Sequence, residues 1–153
     1  MKSETSDGQT GRDKLLLMLH SAQREELGTN HVPASARSRI ARELGTSVAE
    51  VDGIMSFYTI FSRSPRGRYV IRLCDSLSCR IRDSLDVYRC IRRRLDLKAG
   101  ETTPDGRFSL EIVNCVGSCD TAPNAMINES LYTHLTPERM ERLIDELSSE
   151  ALP

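Results

Sequence analysis

Four of the five cysteines in this sequence form two close pairs. The first pair, Cys74 and Cys79, has C-x4-C spacing, and the second pair, Cys115 and Cys119, has C-x3-C spacing. Each pair follows an apolar, β-branched stretch, which predicts a loop just past the end of a strand. Two thiolate pairs on two loops favour a centre with two metal atoms, with one pair for each iron of a 2Fe–2S cluster.

Other uses of paired cysteines must be weighed. Four thiolates also suit a structural zinc ion, because C-x3-C matches the ligand spacing of such sites and C-x4-C borders on it. This alternative stays open. A thioredoxin-type redox site needs C-x2-C, which the sequence lacks. A Rieske centre needs two histidine ligands, but His20, His31 and His134 all lie far in sequence from both pairs. Disulfides are disfavoured, because residues 1–14 are polar and charged and do not resemble a secretory signal.

The composition and motifs of the sequence argue against several classes of binding partner. The 153 residues carry a formal net charge of −1, which gives no electrostatic footprint for nucleic acid or anionic lipid. No apolar run approaches the ~18 residues that a membrane span requires. The G-x-G-x-x-G fingerprint of dinucleotide-binding domains is also absent from the sequence. We therefore predict a soluble, reduced, intracellular chain with no nucleic-acid partner, no direct membrane insertion and no NADH or flavin site of its own.

The sequence pattern divides the chain into three segments. Residues 1–12 are polar and aperiodic, which predicts a disordered tail. Residues 13–66 have helical periodicity without a strand pattern, which predicts a helical arm. Residues 67–153 contain all five cysteines and both strand and helix patterns. We predict that this last segment is a separate 2Fe–2S domain.

Glycine, proline and capping residues mark the ends of three helices in the arm. The first helix is expected to begin at Asp13 and to stop at Gly28. Pro33 opens the second helix, which ends before Gly45. The third helix starts with a capping box at residues 47–50.

Strand and helix patterns alternate in the second domain. The elements expected there are a strand at 68–73, a helix at 80–97, strands at 108–113, 125–127 and 129–131, and a helix that starts after Thr136. This order, β-α-β-β-β-α, predicts a thioredoxin-like mixed sheet with packed helices. The fold class is therefore α/β (α+β), with the three-helix arm preceding the sheet.

Sequence strings beyond the cysteines resemble one known family. They lie at residues 56–61 (S-F-Y-T-I-F), 74–76, 100–108, 117, 122–124 and 135–138. Together with the cysteine spacing they extend over roughly residues 15–147. The chain is similar to the thioredoxin-like 2Fe–2S subunits of NADH dehydrogenase modules, the family that supplies the E subunit of bacterial NADH:quinone oxidoreductase (respiratory complex I).

This resemblance implies a function and a set of partners. The four matching positions, Cys74, Cys79, Cys115 and Cys119, would ligate one 2Fe–2S cluster that accepts single electrons. FMN and NADH would lie on a partner flavoprotein, against which the helical arm packs, and further iron–sulfur subunits would complete the enzyme. The chain would act in the cytoplasm, within an oxidoreductase attached to the cytoplasmic face of the inner membrane, and would not oxidise NADH alone.

Other host complexes and other classes of function stay open. Related subunits serve NAD-dependent formate dehydrogenases and NAD(P)-linked hydrogenases. A free-standing thioredoxin-like ferredoxin and a zinc-stapled interaction module are alternatives of different classes. Many family members have Gly-Thr inside the first cysteine loop, whereas this chain has Asp-Ser-Leu-Ser at residues 75–78. The reduction potential is therefore not fixed by the resemblance.

Several single residues carry further expectations. Gly117 lacks a Cβ and is expected to turn backbone amides toward the cluster sulfurs. Arg80 and Arg82 directly follow the first pair, where positive charge close to the cluster would raise the potential, but an ordinary solvated helix face is the favoured interpretation of both residues. Cys90 falls in the middle of a predicted helix and is expected to be a structural thiol. Pro123 precedes a strand and is the position expected for a cis proline.

Overall fold

The computed structural model describes residues 11–25 and 29–150, and it divides the chain into two compact units, Met1–Pro65 and Arg66–Pro153. Each unit has its own cluster of buried apolar side chains. Residues 1–10 of the predicted tail lie outside the described residues. Residues 11 and 12 belong instead to the first helix, which begins two residues earlier than predicted.

The first unit contains helices α1 (Gly11–Glu25), α2 (Ala34–Leu44) and α3 (Val48–Phe57). Helix α2 contacts both of the others. The core of this unit is formed by apolar residues at helical spacing and by two residues from the connections between the helices. Its members are Leu15, Leu19, Ala22, Val32, Ala36, Ile40, Ala41, Val51, Met55 and Phe61. These residues form the buried stripes that the periodicity predicts.

Local signals fix the described ends of α2 and α3. Gly45 has a φ of +63°, and its amide bonds the last carbonyls of α2, as in a left-handed helix cap. The Ser47 hydroxyl accepts a 3.1 Å hydrogen bond from the Glu50 amide at the start of α3. Gly28, the predicted end of α1, lies outside the described residues.

The second unit is built on a four-stranded mixed sheet. The strands are β1 (Tyr69–Cys74), β2 (Phe108–Val113), β3 (Ala125–Ile127) and β4 (Ser130–Tyr132), in the spatial order β2-β1-β3-β4. Strand β1 pairs in parallel with β2 and antiparallel with β3, and β3 pairs antiparallel with β4. The predicted thioredoxin-like mixed sheet is therefore confirmed.

Helices α5 (Ser84–Leu95) and α6 (Pro137–Ser149) pack against each other in this unit. Alternate residues of β1 pack in one buried cluster with side chains from both helices. At the start of α6, the Thr136 hydroxyl accepts a 3.2 Å hydrogen bond from the Arg139 amide. The peptide between Ala122 and Pro123 is cis, as the sequence predicts.

The prediction of a single helix over residues 80–97 is wrong. Two helices stand in its place, α4 (Leu77–Ile81) and α5. Asp83 interrupts them with a φ of +64°, a left-handed conformation that aspartate tolerates better than most residues. Because α4 starts at Leu77, Cys79 lies on a short helix and not in the loop that the sequence predicts.

Candidate metal centre

The first cysteine pair is buried where β1 gives way to α4. Cys74 is the last residue of β1 and Cys79 lies on α4; they are 1% and 0% exposed. Both side chains pack in a small cluster with Ala122 and Val116. The Cys74 amide donates to the Asn124 carbonyl at 3.1 Å, which continues the backbone hydrogen bonding past the strand end. Sheet hydrogen bonding and apolar packing thus fix this pair.

The second cysteine pair is exposed. Cys115 follows β2 after one intervening residue, and Cys119 begins a short 3₁₀ turn, Cys119–Thr121. Their sulfur atoms are 3.6 Å apart. Two sulfurs on one tetrahedral metal, each with a bond of about 2.3 Å, would be separated by about 3.8 Å. The separation therefore suits two ligands of a single metal atom.

A tight turn shapes the second pair. Gly117 has a φ of +87° and points its amide at the Cys115 sulfur, 3.3 Å away. This hydrogen bond confirms the orientation expected for Gly117. Asn124, which is almost fully buried, donates its side-chain amide to the Ser118 carbonyl, and the Thr121 hydroxyl donates to the same carbonyl at 3.1 Å. These bonds hold the turn against the strand that follows.

The role of Asn124 was not predicted from the sequence. Its carbonyl accepts from the Cys74 amide, and its side chain bonds the turn between Cys115 and Cys119. One residue therefore ties the backbones of both cysteine pairs together. The only sequence signal was a polar residue directly after Pro123 and directly before an apolar strand.

The two pairs come together at one end of the sheet. Strands β1 and β2 are parallel, and Cys74 is in register with Val113, so both chains leave the sheet at the same edge. The Val116 amide hydrogen-bonds the Cys74 sulfur, and the Cys74 sulfur lies 3.9 Å from the Asn114 carbonyl oxygen. Cys115 has the largest effect on the pKa of Cys119, and the charges of Cys74 and Cys79 raise this pKa further. The structure thus brings all four predicted ligands to one site.

The thiols of the site differ in their acidity. Burial raises the pKa of Cys74, but hydrogen bonds from Ser76, Cys79 and the Val116 amide outweigh burial and lower the pKa overall. Burial, followed by the hydrogen bond with Cys74, raises the pKa of Cys79. The hydrogen bond and the charge of Cys115 raise the pKa of Cys119. Neighbouring thiolates repel one another, and a bound, positively charged metal would offset that repulsion.

The donor set fits a two-metal centre better than a single ion. A structural zinc ion takes four ligands around one atom. Two sulfur pairs at a shared edge, with amides directed at the sulfurs, match instead the one-pair-per-iron arrangement of an all-thiolate 2Fe–2S cluster.

The two arginines that follow the first pair, Arg80 and Arg82, are exposed, as expected for an ordinary solvated helix face. Arg80 makes a two-pronged ion pair with Asp75, in which Nη2 lies 2.9 Å from Oδ2 and Nε bonds Oδ1. Asp75 therefore offsets the positive charge of Arg80 close to the site. Arg82 is exposed, directly before the left-handed Asp83.

Cys90 lies in the core of the second unit, apart from the paired cysteines. It is buried on α5 among side chains of the sheet and α6, and its thiol donates to the Pro137 carbonyl at 3.3 Å. Burial and the charge of Glu141 raise its pKa to about 11. A neutral, hydrogen-bonded thiol in an apolar core is a packing residue, as predicted.

Comparisons with known proteins bear on the same residues. A family model described as thioredoxin-like [2Fe-2S] ferredoxin matches residues 1–148. The E subunit of NADH-quinone oxidoreductase from Escherichia coli strain K12 is 42% identical over 114 residues, which are 74% of this chain and 69% of that protein. The HndA subunit of NADP-reducing hydrogenase from Solidesulfovibrio fructosivorans is 33% identical over 132 residues, 86% of this chain and 75% of the relative.

Solved structures show the same fold within larger chains. The air-oxidised NAD+-reducing [NiFe]-hydrogenase matches with a TM-score of 0.78 and 25% identity, over 88% of this chain and 23% of the hydrogenase chain. Its H2-reduced state matches with a TM-score of 0.79 and 25% identity, over 90% and 22% of the two chains. This chain thus spans about a quarter of those chains. By its family match over residues 1–148 and its 42% identical relative, the chain belongs to the family of thioredoxin-like [2Fe-2S] ferredoxins.

Proposed function

We propose that this chain is the electron-transfer subunit of an NADH dehydrogenase module, with NADH:quinone oxidoreductase as its host complex. The observation that carries the proposal is the meeting of two cysteine pairs at one edge of a thioredoxin-like sheet. The named relatives are subunits of NADH-quinone oxidoreductase and of NADP-reducing hydrogenase. The enzyme is an oxidoreductase only as the whole assembly.

The four paired cysteines would hold the cluster, with one pair for each iron. When bound, a 2Fe–2S cluster supplies a one-electron acceptor. The residues of this chain keep the sulfurs in place and stabilise their negative charge. The amides of Val116 and Gly117 do so by hydrogen bonds to sulfur, and the Ser76 hydroxyl lies 3.3 Å from the Cys74 sulfur. Burial of Cys74 and Cys79 keeps water away from half of the site.

The hydride chemistry belongs to a partner flavoprotein in this proposal. The sequence has no G-x-G-x-x-G fingerprint, so NADH and FMN are assigned to a flavoprotein subunit of the same complex. Further iron–sulfur subunits would take the electrons onward. No helix within residues 11–25 and 29–150 is both long and apolar enough to cross a bilayer. Attachment at the cytoplasmic face of the inner membrane would therefore come through other subunits.

The first unit presents a surface suited to docking. Phe57, at the end of α3, is 76% exposed, and the nearby Tyr58 and Ile60 are also exposed. The rings of Phe57 and Tyr58 pack edge to face, with their centroids 5.0 Å apart. Exposed aromatic residues grouped in this way are typical of protein–protein interfaces. We assign this apolar group to the contact between the helical arm (residues 13–66) and the flavoprotein subunit.

A second host complex is supported by specific observations. One relative is a subunit of NADP-reducing hydrogenase, and the matched structures are NAD+-reducing hydrogenases. A hydrogenase module would use the same cysteines and the same flavoprotein contact. The two hosts differ in the redox partner at the far end of the electron path, which is quinone as an electron acceptor in one and hydrogen as an electron donor in the other. Purification of the complex from its source and assays for both activities would distinguish them.

An anaerobic titration tests the division of labour. The purified chain is treated with NADH while its EPR signal is followed, first alone and then with the flavoprotein subunit. We expect no reduction of the isolated chain and the appearance of the reduced cluster signal when the partner is present. Reduction of the isolated chain by NADH would refute the proposal.

Charge substitutions test the docking surface. Phe57→Asp should weaken co-purification with the flavoprotein subunit but leave the cluster spectrum unchanged. Leu131→Asp is a matched control, because Leu131 is an exposed apolar residue on β4 of the other unit. Equal loss of association in both variants, or in neither, would argue against docking through the arm.

A further inference from the structure

Ser76 stands at a helix start but does not act as a cap. It is the residue before α4, with the extended backbone of an N-cap, φ −66° and ψ 160°. A serine at this position ordinarily accepts a hydrogen bond from an amide of the first turn. The Ser76 side chain makes no such bond. A serine that lacks the usual capping hydrogen bond and lies beside a candidate site indicates a different role for its hydroxyl.

The Ser76 hydroxyl faces the sulfurs of the first cysteine pair. The Cys74 thiol donates a hydrogen bond to the Ser76 hydroxyl oxygen at 3.3 Å. The Ser76 hydroxyl also acts to lower the pKa of Cys79, although burial raises that pKa overall. A thiol and a hydroxyl can each donate, but a metal-bound thiolate has no proton. Once the cysteines are ligands, the hydroxyl is therefore the donor.

Backbone and side-chain bonds hold Ser76 between the two ligands. The Arg80 amide donates to the Ser76 carbonyl at 2.8 Å, which forms the first turn of α4. The Asp75–Arg80 ion pair spans the same loop, since each partner directly follows one of the two cysteines. Helix α4 has only five residues and would not persist alone. These bonds fix where the serine side chain can point.

We propose that the Ser76 hydroxyl donates a hydrogen bond to the first cysteine pair and thereby makes the bound cluster easier to reduce. The inference rests on the proposed ligand set. Reduction adds one negative charge to the cluster, so a donor to a ligand sulfur stabilises the reduced state more than the oxidised state. Cys74 and Cys79 are buried, and water does not replace the lost donor easily. Ser76 is thus a positioning residue that tunes the potential.

Redox titration of the full chain with its cluster tests the inference. Ser76→Ala should keep the wild-type iron content and lower the equilibrium constant for reduction by threefold to about tenfold, where tenfold is about 59 mV for one electron. Ser76→Thr keeps a hydroxyl and should stay close to wild type. Ser78→Ala is the matched control, because Ser78 lies on α4 between the same two cysteines and makes no hydrogen bond to a cysteine sulfur within the described residues.

The outcomes separate this inference from the ligand assignment. A wild-type chain without a 2Fe–2S EPR signal would defeat the ligand set itself. An unchanged potential in Ser76→Ala with its signal intact would overturn only the role of Ser76, as would an equal shift in Ser78→Ala. If Ser76→Ala loses iron, retention of iron and potential in Ser76→Thr supports the hydroxyl. Loss of iron in both variants would overturn the inference in favour of a steric role.

Discussion

The two cysteine pairs are similar in sequence but lie in different surroundings. Cys74 and Cys79 are held by a strand end and a short helix, and both are buried. Cys115 and Cys119 lie on an exposed turn after β2. The first pair is fixed by sheet pairing and packing, and the second by the left-handed Gly117 and the bonds to Ser118.

This difference separates two tasks within one site. Burial with several hydrogen bonds holds the first pair rigidly and sets the electrostatic surroundings of its sulfurs. Exposure leaves the second pair in contact with solvent, where small molecules and partner surfaces can reach it. We therefore expect changes at the first pair to act on potential and retention of iron. Changes at the second pair should act on retention of iron and on access.

The largest expected effect is loss of the cluster when any paired cysteine is removed. Cys74→Ala and Cys115→Ala should each lose the visible absorbance and nearly all the iron, because each iron needs two thiolates from the chain. Cys90→Ala should keep both, since its thiol bonds the Pro137 carbonyl in the core. Survival of the chromophore in Cys115→Ala, or its loss in Cys90→Ala, would contradict the assignment.

Alkylation of the iron-free chain should reveal the difference in exposure directly. We expect iodoacetamide to modify Cys115 and Cys119 at least about tenfold faster than Cys74, Cys79 and Cys90, because buried thiols react only after local opening. The pKa shifts oppose this order, since the pKa of Cys74 is lowered and that of Cys119 is raised. The difference in burial between the two pairs should outweigh these pKa shifts. Mass spectrometry after short labelling would show the order, and equal labelling of Cys74 would contradict the buried site.

A backbone change should affect the second pair selectively. Gly117 has a φ of +87° and open space around its Cβ position, so Gly117→Ala meets conformational strain and no clash. An alanine in this left-handed region costs roughly 1–2 kcal/mol, which predicts iron loss to a chelator about five- to thirtyfold faster. Gly53→Ala is the control, because Gly53 lies within α3 with open space and no left-handed backbone. It should leave iron retention unchanged; equally fast release from both variants would contradict the account of the turn.

The smallest expected effect concerns Cys90, a buried thiol outside the site. Its folded pKa of about 11 exceeds the ordinary value near 9, so folding favours the protonated form. That contribution is present in full below pH 9 and is lost as the pH rises through 11. The free energy of unfolding should therefore fall more steeply between pH 9 and 11 in the wild type than in Cys90→Ala, by at most about 1.4 kcal/mol per pH unit. Urea unfolding at several pH values measures this difference, and equal slopes would contradict it.

Much of the fold follows from local sequence signals. The helices of the first unit, all four strands and the capped last helix were predicted near their observed positions, because apolar periodicity and capping residues act over a few residues. The four paired cysteines were predicted as ligands from their spacing alone, and that assignment stays a prediction. What spacing does determine is that the thiols come in two pairs, each short enough to serve one metal atom.

Only the tertiary structure decided the surroundings of those thiols. The packing of Cys79 on the five-residue α4 and the bonds of Asn124 to both pairs depend on residues distant in sequence. A helix of five residues has no periodicity to read and too few hydrogen bonds to form alone. It exists here because Cys79 packs beside Ala122, more than 40 positions along the chain, and sequence patterns do not show which of two cysteine pairs such packing will bury.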